Sequence, residues 1–120
     1  MIDPLEVLGV MNRNRIIMAS ERLRKVTEAS RLSRAQFEKL SGALRQLNQA
    51  VDESEEVGPY PIFISAGVVP LANREEMVST LQIVAKELHE INAEGWAPDP
   101  ARRSLTGSLA AVEEVLGEIS

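Results

Sequence analysis

SRAQFEKLSGALRQLNQAV, Ser33 to Val51, decides the fold class. Phe37, Leu40, Leu44, Leu47 and Val51 recur at intervals of three, four, three and four. Side chains spaced this way stack on one face of an α-helix and form a two-heptad seam. In front of the seam, Ser33 and Gln36 fit a capping box. The serine oxygen takes an amide of the first turn, and the glutamine reaches back to the serine amide. The expected helix covers 34–52. It ends where Asp52, Glu53, Glu55 and Glu56 crowd the C-terminus, which carries the negative end of the helix dipole, with Gly58 and Pro59 behind them.

Working outward, the same period recurs on both sides. Asn73, three residues before Glu76, signals a helix start. Met77, Leu81, Val84, Leu88 and Ile91 follow as an apolar stripe, with Val78 and Ala85 widening it and Gly95 placed to cap its end. This predicts a helix over 74–94. Asp99-Pro100 starts a further helix over 100–118, carrying Leu105, Leu109, Val112, Leu116 and Ile119. Gly107 either weakens that helix by roughly 1 kcal/mol relative to Ala or lets a neighbour come close. At the N-terminus, Asp3-Pro4 is the same start signal, and Leu5, Leu8, Met11, Ile16, Ala19, Leu23 and Val26 mark a helix over 4–30. Its pattern is imperfect around Gly9 and Asn12–Asn14. The chain therefore reads as all-α: a single helical domain over 1–120, four helices arranged as a bundle.

The exception is YPIFISAGVVPL, Tyr60 to Leu71, inside a connection of about 53–72. It is apolar and bounded by prolines. Ile62-Phe63-Ile64 has strand propensity and Ala66-Gly67 suits a turn, so a short β-hairpin is one reading. Connections longer than ~12–15 residues are uncommon in compact domains and often functional. This one can span a 20-residue helix of ~30 Å. Helices two and three can thus run parallel through a crossover, or antiparallel with the connection folded over one end; the sequence leaves both open. Tyr60, Ile62, Phe63, Ile64, Val68 and Val69 either cap the core or form a docking element for a partner. Trp96 poses the same choice, closing the end of the core or anchoring an interface.

Composition narrows the functional classes. Apolar residues make up 44% and charged residues 26%, too apolar for general disorder. Only Phe37, Tyr60, Phe63 and Trp96 are aromatic, so the core must be aliphatic. The absence of cysteine removes disulfides, thiolate metal sites and a cysteine nucleophile. Acidic Asp3 and Glu6 stand where a signal peptide needs positive charge, and no apolar run suits a membrane span. A cytoplasmic protein without membrane contact is expected. The net charge of −5 is uneven. Residues 1–50 hold nine Lys/Arg against five Asp/Glu; residues 51–120 hold four against thirteen. Such halves attract each other within one fold or between copies.

No catalytic or metal-binding constellation stands out. His89 is the single histidine, and Ala93 stands where a helical zinc hydrolase needs its second. A di-iron bundle needs Glu-x-x-His, and Lys86 stands at the Glu position. No phosphate loop or nucleophile elbow is present. Glu75-Glu76 and Glu113-Glu114 are adjacent pairs, which diverge on a helix and make no acid/base dyad. Arg13, Arg15, Arg22, Arg24, Lys25, Arg31 and Arg34 form a basic N-terminal region, as phosphate binding would want. Against that reading stand Glu21, Glu28, a pI near 4.9 and the lack of aromatics for bases to stack on.

The expectation is a non-enzymatic helical interaction or assembly module without cofactor or metal: a scaffold, adaptor or structural subunit, bacterial and viral assemblies included. Its partner is another protein or a second copy of itself. It would act through apolar helix seams and residues 60–71, with Trp96 beside them and Arg22 and Arg24 as charge partners. The alternative is a nucleic-acid-associated protein using the helix-one arginines. A small helical enzyme with an anionic ligand is third.

Overall fold

The computed structural model describes residues 4–28, 32–54, 73–95 and 97–119, with side chains from residue 7 onward. They form four α-helices: α1 (Pro4–Thr27), α2 (Arg34–Glu53), α3 (Arg74–Ala93) and α4 (Asp99–Ile119). The 60–71 run, its hairpin reading, Asp3 and Trp96 lie outside the described residues.

Local chemistry sets the helix ends. Ser33 Oγ accepts the Gln36 amide at 3.1 Å, and Gln36 Oε1 accepts the Ser33 amide at 3.1 Å, closing the capping box. Asn73 Oδ1 accepts the Glu76 amide at 2.9 Å. Gly95 follows α3 with φ of 65°, a left-handed conformation that glycine adopts without a Cβ penalty. Asp99 departs from expectation. It lies inside the first turn of α4, where it accepts from Arg102 at 3.1 Å, and the Arg102 amide bonds back to Pro98.

Side-chain pairing gives the directions. Asn12 and Arg15 of α1 meet Glu94, Glu90 and Glu87 of α3, so these helices are antiparallel. Gln36 meets Glu118 and Ser104 meets Glu53, so α2 and α4 are antiparallel. Arg74 at the start of α3 donates to the Ile119 carbonyl at the end of α4, at 2.6 Å. Hence α1 and α4 run one way, and α2 and α3 the other. Both α1 and α4 pack on α2 and on α3; the pairs α1–α4 and α2–α3 are the diagonals. Of the two topologies open from the sequence, the parallel crossover is the one present. We call the end holding the α1 N-terminus the lower end.

Among the described residues, the core is aliphatic. Ile16 and Leu23 of α1, Leu40 and Leu47 of α2, Leu81, Leu88 and Ile91 of α3, and Leu105 and Val112 of α4 are fully buried. Each contributes ~1.5–3 kcal/mol by leaving water. Two expected seam residues lie elsewhere: Phe37 is 47% exposed and Met11 57%. On α2, the buried stripe turns toward α4 and takes in Ala43 and Ala50 instead. Lys39 and Gln46, on that same side of α2, also reach α4. On α1, Asn12, Arg13 and Ile16 occupy the inner face and push Met11 beyond its edge.

Candidate interaction surface

The first helix carries its polarity partly inside out. Asn12, Arg13, Ser20 and Thr27 are buried, whereas Val7, Met11 and Met18 are 43%, 57% and 45% exposed. Ser20, Thr27 and Asn12 are accommodated locally or by α3. Ser20 Oγ donates to the Ile17 carbonyl at 2.7 Å, and Thr27 Oγ1 to the Arg24 carbonyl at 2.8 Å. Asn12 Nδ2 donates to Glu94 at 2.7 Å. The exposed residues fall at i, i+4 and i+11, which places them on one outward stripe. Across the α1–α3 groove, Ile83 is 44% exposed. Together they make a shallow apolar strip along the outer α1–α3 face.

A charged knot lies beside this strip. Arg15 donates from Nε to Glu87 at 3.0 Å, from Nη2 to Glu90 at 2.9 Å, and from Nη1 to Glu94 at 3.1 Å and Asn12 Oδ1 at 3.1 Å. Burial pushes the guanidinium pKa down, but hydrogen bonds and charge from Glu87 and Glu94 outweigh it, and the net shift is upward. The three carboxylates converge on a cation. Among the described residues, no group of carboxylates or imidazoles is placed to hold a metal ion.

The opposite α2–α4 face is stitched by a second cluster. Lys39 Nζ reaches Glu114 at 2.7 Å and Glu118 at 3.3 Å, and Gln36 Nε2 donates to Glu118 at 3.1 Å. The hydrogen bond from Gln36, then that from Lys39, holds Glu118 below its ordinary carboxylate value. Between these helices runs a groove of about 540 Å³, lined by Lys39, Gly42, Gln46, Gly107 and Ala111 among others. The adjacent glutamates diverge as their spacing requires: Glu113 meets His89 Nε2 on α3 at 2.6 Å, and Glu114 meets Lys39 on α2. His89 is exposed.

Of the residues singled out from the sequence, Tyr60, Ile62, Phe63, Ile64, Val68, Val69 and Trp96 lie outside the described residues. Arg24 pairs with Glu21 of its own helix at 3.0 Å. Arg22 is half-buried and makes no ion pair with any described residue. The attraction between a basic α1 and an acidic α3 is present, but Arg15 carries it. The signal for it is readable: Glu87, Glu90 and Glu94 at three-four spacing form an acidic stripe on α3. What the sequence lacks is the register that sets Arg15 against that stripe. The exposed Val7–Met11–Met18 stripe was hidden because Met11 belongs to the apolar pattern of helix one, whereas Val7 and Met18 fall outside that pattern.

Compared with known proteins, the chain matches no family model, no curated protein and no solved structure. Among the described residues, no helix is long and apolar enough to cross a membrane.

Proposed function

We propose that this chain is a non-enzymatic helical interaction and assembly module of the cytoplasm, a scaffold, adaptor or structural subunit that binds another protein or its own kind. One observation carries the reading: the inverted polarity of α1. A helix that buries Asn12 and Arg13 while exposing Val7, Met11 and Met18 has a second apolar side, which a monomer leaves in water. Methionine is enriched at interface cores and adapts to irregular partner surfaces. Charged groups flank the strip as a polar rim, where they steer orientation more than they add affinity. The apolar run 60–71 is the second element of the same reading.

The nucleic-acid alternative draws on the same helix and is weaker for it. Arg13 is fully buried, Arg15 is held by three carboxylates and Arg24 pairs with Glu21. These groups make a poor phosphate track.

A photoreactive benzophenone residue in place of Met18 tests the module. Irradiation in cells is expected to give discrete protein adducts from position 18 and far fewer from the same residue in place of the exposed Ala110 on α4. Equal yields at both positions, or none at position 18, would remove the α1 face as a docking surface.

A further inference from the structure

We infer that the partner of the outer α1–α3 face is a second copy of this chain, docked antiparallel about a two-fold axis that crosses the helices at the level of Met18. This rests on the module reading and names its partner.

The levels along the face follow from the Arg15 contacts. Arg15 spans Glu87, Glu90 and Glu94, so its level on α3 is close to Glu90. Seven residues further along α1 stands Arg22; seven residues back along α3 stands Ile83. Both steps cover about 10.5 Å, so Arg22 and Ile83 share a level. Glu87 is level with Met18; below it, the face carries Arg15 with Glu90 and Glu94, a net charge of −1. Above it stand Arg22 and Lys25 on α1 and Glu76 on α3, a net charge of +1. The two ends of one face are opposite in sign.

An isologous pair uses such a face twice, because each contact is repeated by symmetry. The axis lies in the interface and reverses the helix direction. It sets the upper, basic end of each copy over the lower, acidic end of the other. Met18 then packs on Met18 of the partner subunit. Arg22 comes level with the partner subunit's Glu90, and Lys25 with the partner subunit's Glu94. A parallel two-fold would instead lay like ends together and set Arg22 over the partner subunit's Ile83. Charge complementarity selects the antiparallel arrangement. Two helix widths by about 30 Å give on the order of 600 Å² per copy, near the lower end for specific interfaces, so the dimer is reversible.

Sedimentation of the full chain from micromolar to several hundred micromolar tests the pairing. The expected result is a dimer whose share rises with concentration and falls with salt. Arg22→Glu alone and Glu90→Arg alone each place like charges together twice per dimer, and each is expected to weaken association at least about tenfold. Mixed one to one, they form two attractive pairs, and a heterodimer is expected to return. Met18→Glu, at an exposed position on the axis, is the control that leaves the Arg15 knot intact. It is expected to be monomeric with wild-type helicity. A wild type that stays monomeric throughout, a Met18→Glu variant that dimerises normally, or folded charge variants that stay monomeric on mixing would each overturn the inference. A monomer that still cross-links through position 18 to a different protein overturns the self-pairing and leaves the module reading standing.

Discussion

A Cβ placed on Gly107 would lie 2.6 Å from Nε2 of Gln46, whereas one on Gly42 meets nothing nearer than 3.8 Å. Both glycines sit well inside helices, where alanine is favoured by ~1 kcal/mol. Gly42→Ala is therefore expected to stabilise the protein by about 1 kcal/mol. Gly107→Ala must first move the amide of Gln46, so its expected gain is smaller, about 0–0.5 kcal/mol. Urea titrations of the two variants give the comparison; a larger gain at 107 than at 42 contradicts the close approach. The sequence left Gly107 with two readings, a weak point or a place of contact. It is a contact, made by a side chain of α2 rather than by helix backbone. Spacing along one helix cannot say what a neighbour lays over it. Arg15 was hidden for the same reason: Arg15 and Arg22 look equivalent on α1, and only the register with α3 separates them.

At the scale of elements, the sequence was most legible where the determinants are local. The capping box of α2, the Asn73 cap and the Gly95 terminator each involve residues within one or two turns and are found as read, whereas the α2 seam is found only in part, with Leu40, Leu47 and Val51 buried and Phe37 outside. The four helices begin and end within a few residues of their expected bounds. Inter-helix chemistry was not legible, and the Gln36–Lys39–Glu114–Glu118 cluster is the clearest case. Gln36 was read as a capping residue, and it also ties α2 to Glu118 of α4. This cluster has a pH signature. Glu118 is held below its ordinary value of 4.5, first by the Gln36 hydrogen bond and then by Lys39. A carboxylate depressed by folding stabilises the fold above its unfolded value, and that stability is lost as pH falls through the folded value. Lys39 is raised above 10.5, chiefly by its hydrogen bond to Glu114. Its contribution is complete below 10.5 and is lost as pH rises through the folded value. Thermal melts of the wild type and of Glu118→Gln are therefore expected to differ most between about pH 5 and 9 and to converge as pH falls through the lowered folded value of Glu118. A gap that stays constant down to pH 2 would show that Glu118 acts by packing rather than by charge.

At the scale of the molecule, the connection from Ser54 to Asn73 decides the topology, and length alone could not. Eighteen residues can fold over one end of a bundle or run its full length. The described helices settle the matter through contacts at their far ends: Glu53 with Ser104 at the lower end, Gln36 with Glu118 and Arg74 with Ile119 at the upper. So the chain leaves α2 below and enters α3 above, while α2 and α3 lie on a diagonal. Antiparallel order would reverse the distances between their ends, and the lack of cysteine lets those distances be measured on the otherwise native chain. Spin labels on Asp52→Cys with Glu75→Cys lie near opposite ends of the bundle. Fifteen residues of axial rise plus the diagonal put them about 25 Å or more apart. Labels on Asp52→Cys with Ala93→Cys share the lower end and are separated mainly by the diagonal of about 14 Å. Electron–electron resonance is expected to give the longer distance for the 52–75 pair. If the 52–93 pair is the longer, α2 and α3 run antiparallel.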